Sequence, residues 1–158
     1  MFFHSLLYSY IFVIIDKTGG VNVCIRNLLS ENYGVLLQLW KEADFTIGKS
    51  DSEEEYVRFL QQNPNTSLCI VQNDQLIGAV MGGFDGRRGM IHHLVVSREF
   101  RSHGYGKLLM DELMRRFKSM GVVKVSLWVK TDNEGVIDFY RSVGFDLRMD
   151  LYTMSCLL

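Results

Sequence analysis

The stretch "IHHLVVSREFRSHGYGKLLMDELM", residues 91–114, decides how the rest of the chain is read. It opens as a short apolar strand and closes as a helix with Leu108, Leu109 and Leu113 on one side, a side that continues to Phe117 and Met120. Between the two lies RSHGYG, 101–106. Such a turn can simply start a helix. It can also gather backbone N–H groups around an anion, because the first four N–H groups of a helix have no internal partner and the helix dipole is positive there. Gly104 and Gly106 lack a Cβ and let a phosphate approach the backbone closely. Arg101 and Lys107 stand at the rim of the same turn. On these six residues alone, the plain turn and the phosphate cradle both remain open.

Working outward, Gly121 suits the end of that helix, and "VVKVSLWV", 122–129, reads as a buried strand. In "TDNEGVIDFYRSVGF", 131–145, Thr131 and Glu134 have capping-box spacing, so a helix is expected over about 133–143. Asn133 and Tyr140 are seven residues apart, which on an α-helix returns both to nearly the same face about two turns apart. The alternative for Tyr140 is packing beside Phe139 with its hydroxyl at a rim. A last strand is expected from Phe145 to about Met154. Upstream, 21–28 alternates as a strand. A helix stripe follows Ser30 through Tyr33, Leu36, Leu37 and Trp40, and a capped helix covers 50–61. "SLCIVQ" (67–72), "QLIGAVMGGF" (75–84) and "MIHHLVV" (90–96) read as strands joined by turns at 73–74 and 85–89. The order β-α-α-β-β-β-α-β-α-β is that of an α/β layer on a mixed sheet.

Composition narrows the function. The chain has 158 residues, enough for one domain with a sizeable core, and 17 basic against 18 acidic residues. That balance supplies no basic stripe for nucleic acid. Three cysteines, none in a CxxC pair, argue against a disulfide framework or zinc site, and favour a reduced, cytoplasmic setting with no metal. Residues 1–20 stand apart as an apolar extension, with 21–158 as the domain proper. "FFHSLLYSYIFVII" is shorter than the roughly 20 residues a spanning helix needs, and no basic residue precedes it as in a signal peptide. It reads as an extra strand or helix packed on the domain or on a second subunit, or as a poorly ordered remnant, with a membrane anchor the least favoured.

The combination of strand, R-x-x-G-x-G, amphipathic helix, buried strand, then N-x6-Y within "NEGVIDFYRSVGF" resembles the GNAT superfamily of N-acetyltransferases, over about residues 22–155. "GAVMGGFDGRRG", 78–89, is similar to a subgroup of small bacterial acetyltransferases. The resemblance implies a mixed, mostly antiparallel sheet splayed in a V and flanked by about four helices, with acetyl-CoA as co-substrate. It assigns the pantetheine arm to the backbone of Leu94, Val95 and Val96. The pyrophosphate falls to the loop of Arg101, Ser102, His103, Gly104, Tyr105, Gly106 and Lys107, and Asn133 and Tyr140 match the family's asparagine and tyrosine.

It also implies direct attack of a neutral primary amine on the thioester, with backbone N–H groups stabilising the oxyanion. Tyr140 matches the general acid that protonates the leaving thiolate. Where many relatives carry a glutamate this chain has Trp128, so that base does not transfer. Some relatives that act on amines use a histidine on the strand before the loop, and His92 has that register. Its alternative is a polar wall residue. Strand alternation puts His92 and His93 on opposite faces. Glu42 and Asp44 can hold a cationic amine or simply be a solvated helix end, and the acidic run Asp51–Glu55 has the same two readings. "GGFDG", 82–86, is expected to shape the pocket. The acceptor is a small-molecule or peptide amine, with no nucleic acid or membrane partner, and the family's frequent dimers make a homodimer the assembly to test. The competing functions are a non-catalytic acyl-CoA-binding module and an interaction domain that only shares the fold.

Overall fold

A computed structural model of the chain describes residues 12–15 and 22–158. The rest of the apolar N-terminal segment lies outside the described residues. Two compact units are present, the first ending at Leu127 and the second spanning Trp128–Leu158.

The first unit is built on a six-stranded sheet in chain order. Its strands are β1 (Phe12–Ile15), β2 (Asn22–Asn27), β3 (Ser67–Gln72), β4 (Gln75–Phe84), β5 (Gly89–Val96) and β6 (Val125–Leu127). All neighbours pair antiparallel except β5 and β6, which run parallel, as they must when a helix makes the crossover. The helices are α1 (Tyr33–Glu42), α2 (Glu53–Gln62) and α3 (Tyr105–Ser119). Residues 12–15 therefore form an edge strand on β2, one of the forms expected for the N-terminal extension.

Two cores flank the sheet. On one side α1 and α2 pack Leu36, Leu39, Trp40 and Tyr56 against Cys69, Ala79, Met81 and Val95. On the other, Leu109, Met110, Leu113 and Phe117 of α3 are buried. The glycine pair of β4 separates the layers by strict alternation. A Cβ on Gly82 would stand 2.7 Å from Leu113 Cδ1, whereas one on Gly83 would stand 3.3 Å from the Phe59 ring of α2. Gly82 is thus a close-packing residue under α3, and only Gly83 belongs to the face that α1 and α2 cover.

A buried polar cluster ties α3 to the sheet. Glu112 accepts from both Arg115 and Arg116, and Arg116 Nη1 also reaches the Asn65 carbonyl at 2.9 Å and the Asn27 side chain. The arginines hold the Glu112 carboxyl below the usual carboxylate range, hydrogen bonding from Arg115 being the largest cause.

The second unit contains the 3-10 turn Glu134–Val136 and α4 (Ile137–Ser142). The strand expected from Phe145 onward does not form, and Phe145–Leu158 carries no regular structure. Its apolar residues Leu151, Tyr152 and Met154 are exposed, so nothing rewards the pairing their alternation suggests. The strand expected over 122–129 likewise shrinks to three residues.

Candidate active site

β5 and β6 pair only through Gly89, Met90 and Ile91. From His92 to Val96 the β6 side of β5 has no strand partner among the described residues, which is the opening of a splayed sheet. Leu94, Val95 and Val96, the residues expected to hold a pantetheine arm, all lie in this stretch. Val95 is buried and stays in register with Ala79 on β4, so the strand is anchored from its other edge.

This strand runs through a 3-10 turn, Arg98–Phe100, into the glycine loop. Ser102 and Gly104 both have positive φ, at 64° and 83°. Two left-handed residues so close together fold the chain back and present its N–H groups on one side. Gly104 is the N-cap of α3, and a Cβ there would meet nothing within 4 Å. Its glycine answers a backbone demand and an open approach, not crowding. The first helical bond is donated by Leu108 to the Gly104 carbonyl, so the N–H groups of Tyr105, Gly106 and Lys107 have no helical acceptor. The rim charges are partly spent. Arg101 Nε folds back on the Val96 carbonyl at 3.0 Å, and Lys107 pairs with Asp111 at 2.7 Å. His103 Nδ1 is bonded to the Arg101 carbonyl at 2.7 Å, which stiffens the turn. The backbone donors and the dipole, more than the side-chain charges, make this loop suited to an anion. It fits the diphosphate of a CoA-type ligand on that ground.

On the α1–α2 side of the opening, β5 carries a β-bulge. Ala79 opposes Val95 and Met81 opposes His92, so Val80 faces two residues, His93 and Leu94. His93 takes φ 48° to achieve this. The bulge overturns the expectation that His92 and His93 lie on opposite faces. The His92 ring meets Phe59 edge-on, with centroids 5.5 Å apart, and the His93 ring lies 4.7 Å from Trp40 and 5.3 Å from Phe45. Trp40 belongs to the α1–α2 core and Phe59 packs against it, so both imidazoles stand in the same layer.

Their surroundings differ. Burial is the main cause that lowers the His92 pKa below 6.5, and neighbouring His93 adds to it, while Asp51 opposes both. His93 Nε2 is bonded to Asp51 Oδ1 at 2.6 Å. Asp51 comes from the 3-10 turn Lys49–Asp51 that precedes α2. Its other carboxylate oxygen accepts from Gly48 N at 2.8 Å, and its carbonyl accepts from the Tyr33 hydroxyl at 2.9 Å. This carboxylate is the one the sequence reading did not single out. It was visible only as one end of an acidic run. Glu42 and Asp44, the two carboxylates expected beside that run to hold a cationic amine or form a solvated helix end, are exposed, and Glu42 is taken up by Gln38 on its own helix.

In the second unit, Asn133 is exposed and caps the 3-10 turn without a side-chain bond. No hydrogen bond joins Thr131 to Glu134 among the described residues, so the capping box does not form. Because the helix begins as a 3-10 turn, the α-helical arithmetic that stacked Asn133 over Tyr140 does not apply. Tyr140 lies on α4 between the rings of Phe139, at 5.2 Å, and Phe145, at 6.1 Å. This burial raises its hydroxyl pKa above 10. Trp128, in the glutamate position, is exposed.

Among the described residues no group of three or more His, Cys, Asp or Glu side chains is placed to hold a metal ion, and no helix is long and apolar enough to cross a membrane. The three cysteines are free.

Comparison with known proteins agrees with this geometry. An acetyltransferase of Pectobacterium atrosepticum is 30% identical over 122 residues, which are 77% of this chain and 86% of that protein. An uncharacterised N-acetyltransferase of Yersinia pestis is 29% identical over the same shares. Among solved structures, Ard1 from Thermoplasma volcanium matches with a TM-score of 0.73 at 20% identity, over 80% of this chain and 84% of that one. PaiA N-acetyltransferase from Thermoplasma acidophilum, solved with coenzyme A, matches with a TM-score of 0.70 at 19% identity, over 80% and 91%. Residues 32–145 match the Acetyltransferase (GNAT) family, and the chain belongs to that family of acetyltransferase enzymes.

Proposed function

We propose that the protein transfers the acetyl group of acetyl-CoA to a primary amine by direct attack in a ternary complex. The observation that carries this reading is the continuity of the freed β5 edge with the glycine loop. Among the described residues, the edge of β5 has no strand partner from His92 to Val96, only the Val96 carbonyl being taken up by Arg101, and it runs through the Arg98–Phe100 turn into the amide donors of Tyr105, Gly106 and Lys107. Acetyl-CoA supplies the activated thioester. The backbone of Leu94, Val95 and Val96 holds the pantetheine arm and polarises the acetyl carbonyl, where preorganised donors are worth most. Ser102 to Lys107 take the pyrophosphate with Arg101 and His103 shaping the turn, and Asn133 contributes from the family's asparagine position.

An acceptor that arrives as an ammonium must lose a proton before its lone pair can attack. The bulge of β5 offers the groups for that step, His92 and its neighbour His93. The neutral imidazole favoured at His92 is the form that accepts a proton. Tyr140 keeps its proton at neutral pH, because burial raises its pKa, and delivers it to the departing thiolate. The acceptor class is a primary amine on a small molecule or peptide. Solved relatives of the same fold bear names that span a ribosomal protein's alanine and aminoglycosides, and neither carries over at such identities.

Thiol release measured across a panel of small amines, aminoglycosides and peptides with free N-termini or lysines tests this reading. Acetyl-CoA binding by titration calorimetry accompanies it. Turnover is expected with at least one amine class. Absence of binding at high micromolar acetyl-CoA would sink the proposal.

A further inference from the structure

We propose that Asp51 and His93 form the proton-accepting pair for the acceptor amine, with His93 Nδ1 as the base and Asp51 as the residue that positions it; this rests on the acetyl-transfer reading above. Three features converge on the pair. A carboxylate oxygen 2.6 Å from Nε2 keeps the proton on that nitrogen, which leaves Nδ1 with the lone pair. Nδ1 has no hydrogen-bond partner among the described residues. The chain also places this ring with a left-handed residue inside a strand, at φ 48°, a conformation uncommon for any residue that carries a side chain.

The carboxylate is held more tightly than a surface ion pair would be. Its side chain is 11% exposed and its remaining oxygen is tied to the Gly48 amide, while the Tyr33 hydroxyl fixes the same residue's carbonyl. The imidazole itself is 25% exposed, so one edge of it is reachable. Trp40 and Phe45 pack against its ring and add no charge. The titratable groups around it are Asp51 from the turn before α2, His92 beside it on β5, and Tyr33 of α1 through Asp51. His92 has no carboxylate partner of its own; its ring rests on Phe59 and beside Gly83.

The step balances as follows. His93 Nδ1 takes one proton from the ammonium and passes it to solvent. The amine lone pair forms the N–C bond as the C–S bond breaks, and the thiolate takes the Tyr140 proton. The second proton shed by nitrogen restores Tyr140.

The left-handed backbone selects the test variants, since glycine and asparagine both accept it. His93→Gly is expected to lower kcat by about 10²–10⁴-fold, the usual worth of general base catalysis, and added imidazole should restore part of it. His93→Asn should show the same loss without rescue. Asp51→Asn no longer holds the proton on Nε2, so kcat should fall by about tenfold or more with acetyl-CoA affinity unchanged, and the Nδ1–H tautomer of His93 should gain population. Imidazole ¹⁵N NMR of the wild-type protein should report the Nε2–H tautomer at His93. Turnover of His93→Asn within about threefold of wild type, unchanged turnover and tautomer in Asp51→Asn, or an Nδ1–H tautomer in the wild-type protein would each overturn the pair. Acetyl-CoA titration of the same samples separates the causes. Intact binding without rescue counts against the pair alone, and no binding by wild type counts against acetyl transfer itself.

Discussion

Tyr140 shows how one side chain can be tuned by packing alone. Phe139 and Phe145 flank its ring, and desolvation is the cause that raises its pKa above 10. The sign for catalysis follows. A group that must donate a proton is active below its pKa, so the Tyr140 contribution is expected to hold through neutral pH and to be lost only on the alkaline side. Tyr140→Phe should lower kcat by about 10²-fold or more with little change in acetyl-CoA affinity, read by thiol release and calorimetry. Unchanged turnover would remove Tyr140 as the acid. Gly104 was legible from its neighbours, because a turn between a strand and a helix leaves few residue types for a left-handed N-cap. His93 was not. Alternation assigns faces only while register is regular, and the register slip between Ala79 and Met81 is a property of two strands together.

At the scale of elements, β3 and β4 were legible residue for residue, because a turn with positive φ at Asn73 and Asp74 and a β-branched run leave little freedom. The helix near 133 was half legible. Gly135 sits in its opening 3-10 turn, and only the six residues from Ile137 settle into α-helix. The strand after Phe145 was misread because alternation records a pattern and not a partner. The element with the clearest energetic signature is α3. Its apolar side fills the space beneath Gly82, and its Glu112 and Arg116 are both buried. Glu112→Gln leaves Arg116 charged and underpaired in that core. It should cost about 3 kcal/mol, seen as a lower denaturation midpoint. The depressed Glu112 pKa sets the pH dependence. Its stabilisation is present above the unfolded carboxylate value and is lost as pH falls through the folded one, so the wild-type advantage over Glu112→Gln should vanish in acid.

For the whole molecule, the glycine loop and the freed half of β5 belong to the folded state only. A ligand that binds them must stabilise that state by mass action. Acetyl-CoA at 100 times its Kd should add about 2.7 kcal/mol and raise the Tm by several degrees, whereas adenine at the same concentration, which lacks the diphosphate and the arm, should add far less. Equal shifts from both would argue against the loop as the phosphate site. The family and the order of most elements were readable because the loop, the helix behind it and the Asn133–Tyr140 spacing are local in sequence. The Asp51–His93 pair was not, since Asp51, Trp40 and His93 meet only through the packing of α1 and the following turn on the bulged strand.

The consecutive order of the sheet also has a kinetic meaning. β3, β4 and β5 are joined by short turns, while β2 reaches β3, and β5 reaches β6, only across intervening helices. Local pairings close early, because long loops charge their entropy before any contact repays it. The β3–β5 meander is therefore expected to form first, and with it the bulge that turns His93. The three-residue parallel pair between β5 and β6 must wait for α3 to dock. On this ordering the bulge that turns His93 is already set on β5 before the opening beside it exists.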